Sequence, residues 1–339
     1  MEERTQAGAS HAREHHWDGL RALLMLLGIP YHVALAYQLG NGDGQAWIVN
    51  AKEGGAGFAS LAQFIHLFRM PAFFVVAGYF AGLLLSRRSP VPWLSGRFAR
   101  LGIPFLATLL LLNPLLNLAC ELSNFPLAPA VRSLLDNSAS SGGYWIRHLW
   151  FIIVLLYYCM VAALLVYHVP LLRGAMLPAR IDGWIARHFT LSVLIAAIVV
   201  GLWEAVSIEL FYMAGLATNG QQQIMRLDEV LQYAPWFLMG CLLARAPLAR
   251  ARFYRFSTPV AMVAILSAVI ALALMGRIGP MTGRFVESIA AVTMTQLLIA
   301  LCRRFMDRPN KATARLVEAS FAIYLVHLPI IVWLVLIAQ

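Results

Sequence analysis

Residues 17–39 read WDGLRALLMLLGIPYHVALAYQL. As a helix this run is long enough to cross the hydrocarbon core of a bilayer. Its apolar pattern is interrupted by Arg21 and His32. Eleven helical steps separate the two, about three turns, so on one straight helix they share a face roughly 16 Å apart along the axis. That is about half the core thickness. Basic and titratable side chains inside a spanning helix are costly, and they mark pathways or reaction centres by default. An arginine near one face and a histidine deeper toward the other predict chemistry that reaches across a membrane.

The rest of the chain has the same character. Its 339 residues are 60% hydrophobic and 12% charged, with a mean hydropathy of +0.72, well above the apolar share of soluble domains. Hydropathy predicts one all-α, polytopic helix bundle over residues 1–339, with a cytoplasmic segment at 1–16. Nine spans are expected, at 17–39, 58–86, 98–120, 145–168, 190–212, 230–246, 257–275, 284–302 and 317–338. The N-terminal segment is polar, and the apolar run behind it is too long for a cleaved signal peptide.

A net charge of +10 raises the possibility of a nucleic-acid partner, but its distribution argues for topology instead. Eighteen Lys and Arg residues fall in one set of alternate loops and six in the other, with Arg21 and Arg69 inside spans. That bias places the N-terminus in the cytoplasm and Gln339 outside, with anionic lipid as a further partner of the basic side. Three loops, 40–57, 121–144 and 213–229, would then face outward as a vestibule. The four cysteines, Cys120, Cys159, Cys241 and Cys302, have no CxxC spacing. They read as packing residues, with neither a disulfide nor a metal site expected.

The second span carries His66 and Arg69, three apart on one helix face, just before Pro71. With antiparallel spans, His32 lies at a similar depth, so His32, His66 and Arg69 are expected to converge as the catalytic set. At the other face, Arg21 and Asp18 form either an interfacial salt bridge or part of an anion site, and Arg97 and Arg100 could extend the latter, because guanidinium groups offer phosphate a rigid fork of donors. His148 and Trp150 lie at the outer end of the fourth span, where Trp150 fits an aromatic belt. Glu204, Glu209 and His327 complete the polar residues at depth, as structural pairs or supports of a histidine.

These stretches resemble the membrane-bound acyltransferase family 3. Its Arg/Lys-x10-His pair is matched by Arg21 and His32. Its Arg-x-Pro-x-Phe-Phe stretch with a following Gly is matched by Arg69, Pro71, Phe73, Phe74 and Gly78. Its Leu-Trp-Phe segment is matched by Leu149-Trp150-Phe151, and its late Tyr-Leu-x-His motif by Tyr324-Leu325-Val326-His327. Within the family, the stretches 24–32, 64–70, 97–104 and 148–151 are most similar to the branch that succinylates osmoregulated periplasmic glucans. The resemblance implies about ten spans where hydropathy gives nine. The two expectations are a further helix beyond Gln339 or a shorter bundle.

The resemblance also implies a multi-pass protein of the bacterial inner membrane, with succinyl-CoA as donor substrate, a periplasmic glucan as acceptor, and no tightly bound cofactor. His32 would act as general base, Arg69 would meet the thioester oxygen, and Arg21, with Arg97 and Arg100, would hold the CoA phosphates. A succinyl group brings a free carboxylate that needs a cation, for which Arg69 and Arg147 are the two options. One competing reading is an O-acetyltransferase acting on another surface polysaccharide. The other is a transporter or flippase, which would call for inverted repeats that the sequence does not display.

Overall fold

The computed structural model describes residues 14–38, 49, 51, 53–140, 142–216 and 224–338. Residues 1–13 of the N-terminal segment, most of 40–52 and the centre of the 213–229 loop lie outside the described residues. The described chain is helical and contains no strand. Helices α1 (His15–Leu26) and α2 (Gly28–Tyr37) make one broken span, and α3 (Ala56–Leu85) is continuous. The next span is interrupted and consists of α4 (Pro90–Arg97), α5 (Ile103–Leu111) and α6 (Asn113–Leu122). Then come α7 (Leu127–Ser140), α8 (Gly142–Ile146), α9 (Trp150–His168), α10 (Ala179–Arg187) and α11 (Phe189–Met213). The chain continues through α12 (Leu227–Arg245), α13 (Pro247–Phe253), α14 (Thr258–Leu274), α15 (Pro280–Phe305) and α16 (Lys311–Ile337).

Among the described residues, seven helical stretches are long and apolar enough to cross a membrane, or eight if α13 and α14, bent by 65° to one another, count as one broken span. By length and composition alone, the count differs from the expected nine at one segment. The segment predicted at 230–246 is the 19-residue α12, which carries Asp228, Glu229, Gln232 and Arg245 and falls below the apolar requirement. Its place in the bundle comes from packing on α3, not from hydropathy. A second correction concerns 121–144. Much of this stretch, expected as a loop, is the 14-residue α7, where Leu127, Val131, Leu134 and Leu135 recur at helical spacing and Asn137 donates to Glu121 at 2.9 Å.

Helices α3 and α12 approach closely where they cross. An added Cβ on Gly78 would lie 2.0 Å from the Phe237 carbonyl oxygen, and one on Gly240 would lie 2.0 Å from that of Val75. Lipid tails are as apolar as side chains, so a bundle in membrane is held by such close packing rather than by water exclusion. Gly78 and Gly82, four apart on α3, admit the backbone of α12, and Cys241 Sγ donates to the Gly78 carbonyl at 3.3 Å.

Prolines shape the rest. A proline cannot donate to the carbonyl four residues earlier, and within a membrane that carbonyl must find another donor. Pro235 frees the Leu231 carbonyl, which accepts from Trp203 Nε1 at 2.7 Å. Pro329 frees that of Leu325, which accepts from His148 Nε2 at 3.3 Å. Pro104 leaves Arg100 without its usual donor, and Phe98–Gly102 winds as a π-helical turn, a feature that recurs at functional sites.

One end of the bundle is clamped by polar contacts. His16 Nδ1 meets Asp307 Oδ1 at 3.0 Å, Arg303 meets Asp307 Oδ2 at 2.6 Å, and Trp17 donates to the Tyr254 hydroxyl at 2.9 Å. Burial works against the Asp307 charge, but the hydrogen bonds from the His16 ring and backbone, with Arg303 beside them, hold its carboxyl below the ordinary value.

Candidate active site

Two chambers lie end to end between α1–α2, α3, α9 and α16. The first, of about 500 Å³, is lined by Asp18, Arg21, Arg97 and Arg100, with Trp93 and Glu318. The second, of about 380 Å³, is lined by His32, His66, Arg69, His148, Arg147 and Tyr324 among others. Met25, Phe73 and Phe151 line both. The Phe73 and Phe151 rings meet edge-on with centroids 4.6 Å apart, so they form an apolar partition between an arginine chamber and a histidine chamber.

The break between α1 and α2 lets the first span line both. Pro30 removes the amide that would bond the Leu26 carbonyl, and the chain turns at Leu27 before resuming at Gly28. Arg21 and His32 therefore sit at opposite ends of the paired chambers. Among the described residues Arg21 makes a loose contact of 3.8 Å with Asp18, and its side chain lines the chamber. Arg97 lies over the Trp93 ring, 5.3 Å from its centre.

In the histidine chamber the predicted trio is brought together with His148, and His327 packs behind them. His32 and His327 have ring centres 5.1 Å apart, and His148 and His327 are 5.7 Å apart. Tyr31 binds the group into one cluster. Its ring stacks on His66 at 5.7 Å and receives the Arg69 guanidinium at 4.4 Å. Arg69 forms no ion pair with a described carboxylate, and its Nε has no hydrogen-bond partner among the described residues. A desolvated guanidinium held on a π face is suited to developing negative charge.

The late motif explains how two of the imidazoles are held. His327 Nδ1 contacts the carbonyls of Tyr324 (2.7 Å) and Ile323 (3.2 Å). Carbonyls only accept, so the proton is on Nδ1 and Nε2 carries the lone pair. By the same reasoning His148 is protonated on Nε2, through the carbonyl that Pro329 frees. The Tyr324 hydroxyl donates to the His148 carbonyl at 2.6 Å. Gly28 supplies the room, because a Cβ there would lie 3.0 Å from Arg69 Nη1 and 3.1 Å from His327 Nε2.

Trp150, Glu204 and Glu209 fall on different sides of the alternatives the sequence left open for them. Trp150, expected in an interfacial belt, packs inside the bundle. It lines the histidine chamber and stacks on Tyr233 at 5.7 Å. Glu204 accepts from Trp236 Nε1 at 2.6 Å and Ser288 Oγ at 3.0 Å, and Glu209 pairs with Arg284. Both carboxylates tie α11 to its neighbours and line neither chamber. Sequence reasoning missed Tyr31, Gly28 and the Met25–Phe73–Phe151 partition. An aromatic beside His32 and a glycine two residues before Pro30 were the available signals. Among the described residues no group of three His, Cys, Asp or Glu side chains is placed to hold a metal ion.

A polytopic bundle with arginine and histidine chambers in line is a membrane group-transfer architecture, and the chain belongs to the acyltransferase 3 family, whose acyltransferase domain matches residues 14–337. It is similar to proteins named Glucans biosynthesis protein C from Escherichia coli, including those of strain K12 / DH10B and of O9:H4 strain HS. Each is 29% identical over 328 residues, which cover 94% of this chain and 82% of the relative. No solved structure matches.

Proposed function

We propose that the protein transfers a succinyl group from cytosolic succinyl-CoA to hydroxyls of periplasmic glucans, from the bacterial inner membrane with its N-terminus in the cytoplasm. The observation that carries the reading is the pair of chambers sharing Met25, Phe73 and Phe151, with three arginines in one and the imidazoles in the other. CoA is too polar to cross lipid. Its phosphates stay at Arg21, Arg97 and Arg100 while the pantetheine arm passes the partition and delivers the thioester to the histidine chamber. The names of the similar proteins supply glucan as the acceptor class.

His32 takes the proton of an acceptor hydroxyl as its oxygen attacks the thioester carbonyl. The new C–O bond forms, Arg69 meets the charge that builds on the carbonyl oxygen, and the C–S bond breaks. The proton passes to the leaving thiolate, giving a succinyl ester and free CoA. His327, with its lone pair on Nε2 and its ring beside His32, orients the base. The experiment is mass spectrometry of periplasmic glucans from cells carrying the wild type or His32→Ala. Succinylated glucans from the wild type alone are expected. Normally charged glucans from a folded, inserted His32→Ala would rule out the general base.

A further inference from the structure

Resting on the succinyl-transfer reading, we infer that Arg147 is the residue that receives the free carboxylate of the acyl group and thereby selects succinyl over an uncharged acyl donor. Two cations line the histidine chamber, Arg69 and Arg147. Arg69 is committed to the reacting end: its guanidinium lies on Tyr31, and its Nη1 crowds the space that Gly28 leaves beside His327. A succinyl thioester carries its carboxylate two methylenes beyond the carbonyl. With the carbonyl at Arg69 and His32, the carboxylate needs a second cation in the same cavity, and Arg147 is the one the chamber supplies.

The fold holds Arg147 in a way that a merely flanking basic residue would not need. Its backbone is left-handed, with φ +48°, a conformation uncommon outside glycine and found at sites where surrounding structure enforces it. Its Nε donates to Asn117 Oδ1 at 2.8 Å. Asn117 is fully buried and is itself oriented by donating its amide to the Tyr144 carbonyl at 2.9 Å. The guanidinium lies 4.7 Å from the centre of the Tyr144 ring, and the Tyr144 hydroxyl is tied to Glu121 at 2.7 Å. Asn113, on the same helix as Asn117, reaches the Ile146 carbonyl at 3.4 Å. The turn 144–147 is thus pinned from α6 at several points. The stem of the guanidinium is used for anchoring, and no described carboxylate forms an ion pair with the terminal amines. Glu121 feels the Arg147 charge without forming an ion pair with it, so the fork can still meet a ligand carboxylate. Arg147 itself makes and breaks no covalent bond.

The test compares succinyl-CoA with acetyl-CoA as donors to a β-glucan acceptor, using full-length protein in proteoliposomes. Arg147→Gln removes the charge. Arg147→Gly also removes it but suits the left-handed backbone, so a folding defect common to both is not expected. The readout is the ratio of succinyl to acetyl transfer within each variant, which cancels the amount of folded protein. The wild type is expected to favour succinyl, and both variants to lose about tenfold or more of that ratio, the scale of one charge-assisted hydrogen bond. A wild type that favours succinyl with variants that keep the ratio overturns the assignment of Arg147 and leaves the reaction standing. Equal loss of both donors likewise overturns it, since that marks an acceptor-side or structural role. A wild type that favours acetyl overturns the succinyl reading, and the carboxylate site with it.

Discussion

Gly28→Ala adds one methyl group where the start of α2 meets Arg69 and His327. The new Cβ would stand 3.0 Å from Arg69 Nη1 and 3.1 Å from His327 Nε2, where ordinary contact begins at 3.4 Å. Guanidinium and imidazole must each retreat by about 0.3–0.4 Å, close to the roughly 0.5 Å within which a working constellation has to be held. Since a misplacement of about 1 Å can cost on the order of 100-fold, a loss of about tenfold in kcat is expected, or about 1.4 kcal/mol in barrier height. Stability moves the other way, because alanine is favoured over glycine in a helix by roughly 0.5–1 kcal/mol. The assay is transfer of succinyl from succinyl-CoA in proteoliposomes, with a thermal melt of the same preparation. An unchanged kcat would refute the claim that the reaction depends on the placement of Arg69 and of the His327 ring beside His32. So would a change confined to KM, which would move Gly28 from the reaction centre to the donor passage.

Gly78→Ala should be structural instead. Its Cβ would collide with the Phe237 carbonyl, and because backbone cannot swing aside, a destabilisation of about 3 kcal/mol or more is expected in the melt. Arg21→Ala should weaken CoA binding by about 10- to 100-fold, as for one charge-assisted contact, read by titration calorimetry in detergent; unchanged affinity removes Arg21 from the donor site. Asp307→Asn should melt below the wild type at neutral pH. The folded carboxyl of Asp307 is depressed, so its contribution is present above the unfolded value near about 3.9 and is lost as pH falls through the lower folded one. The two melting curves should converge in acid once the depressed carboxyl of the folded state is protonated, and a gap that persisted there would contradict the ionic clamp.

How far the sequence alone reaches can be seen in particular residues. Continuous apolar runs of about 20 residues read as helices, because a helix satisfies its backbone within one segment and a barrel strand needs only about half that length, so the helical, polytopic bundle was legible without coordinates. So was the importance of Arg21, His32 and Arg69, since charged groups at membrane depth are too costly to be incidental. The span count was only partly legible: α12 is held by the Gly78–Gly240 crossing, and hydropathy measures transfer into lipid, not fit against another helix. The reach of His148 to the Leu325 carbonyl required both the proline at 329 and the placing of α16 beside the 147–149 turn. Glu204 and Glu209 looked like candidates because a carboxylate in a span needs a partner. Only the tertiary structure showed that their partners are Trp236, Ser288 and Arg284, away from both chambers. The sequence by itself determined which residues could not be ordinary packing, because the cost of polarity in a membrane is local. Tertiary structure decided which of them share a cavity, because that depends on helix rotations and kinks set by residues hundreds of positions apart.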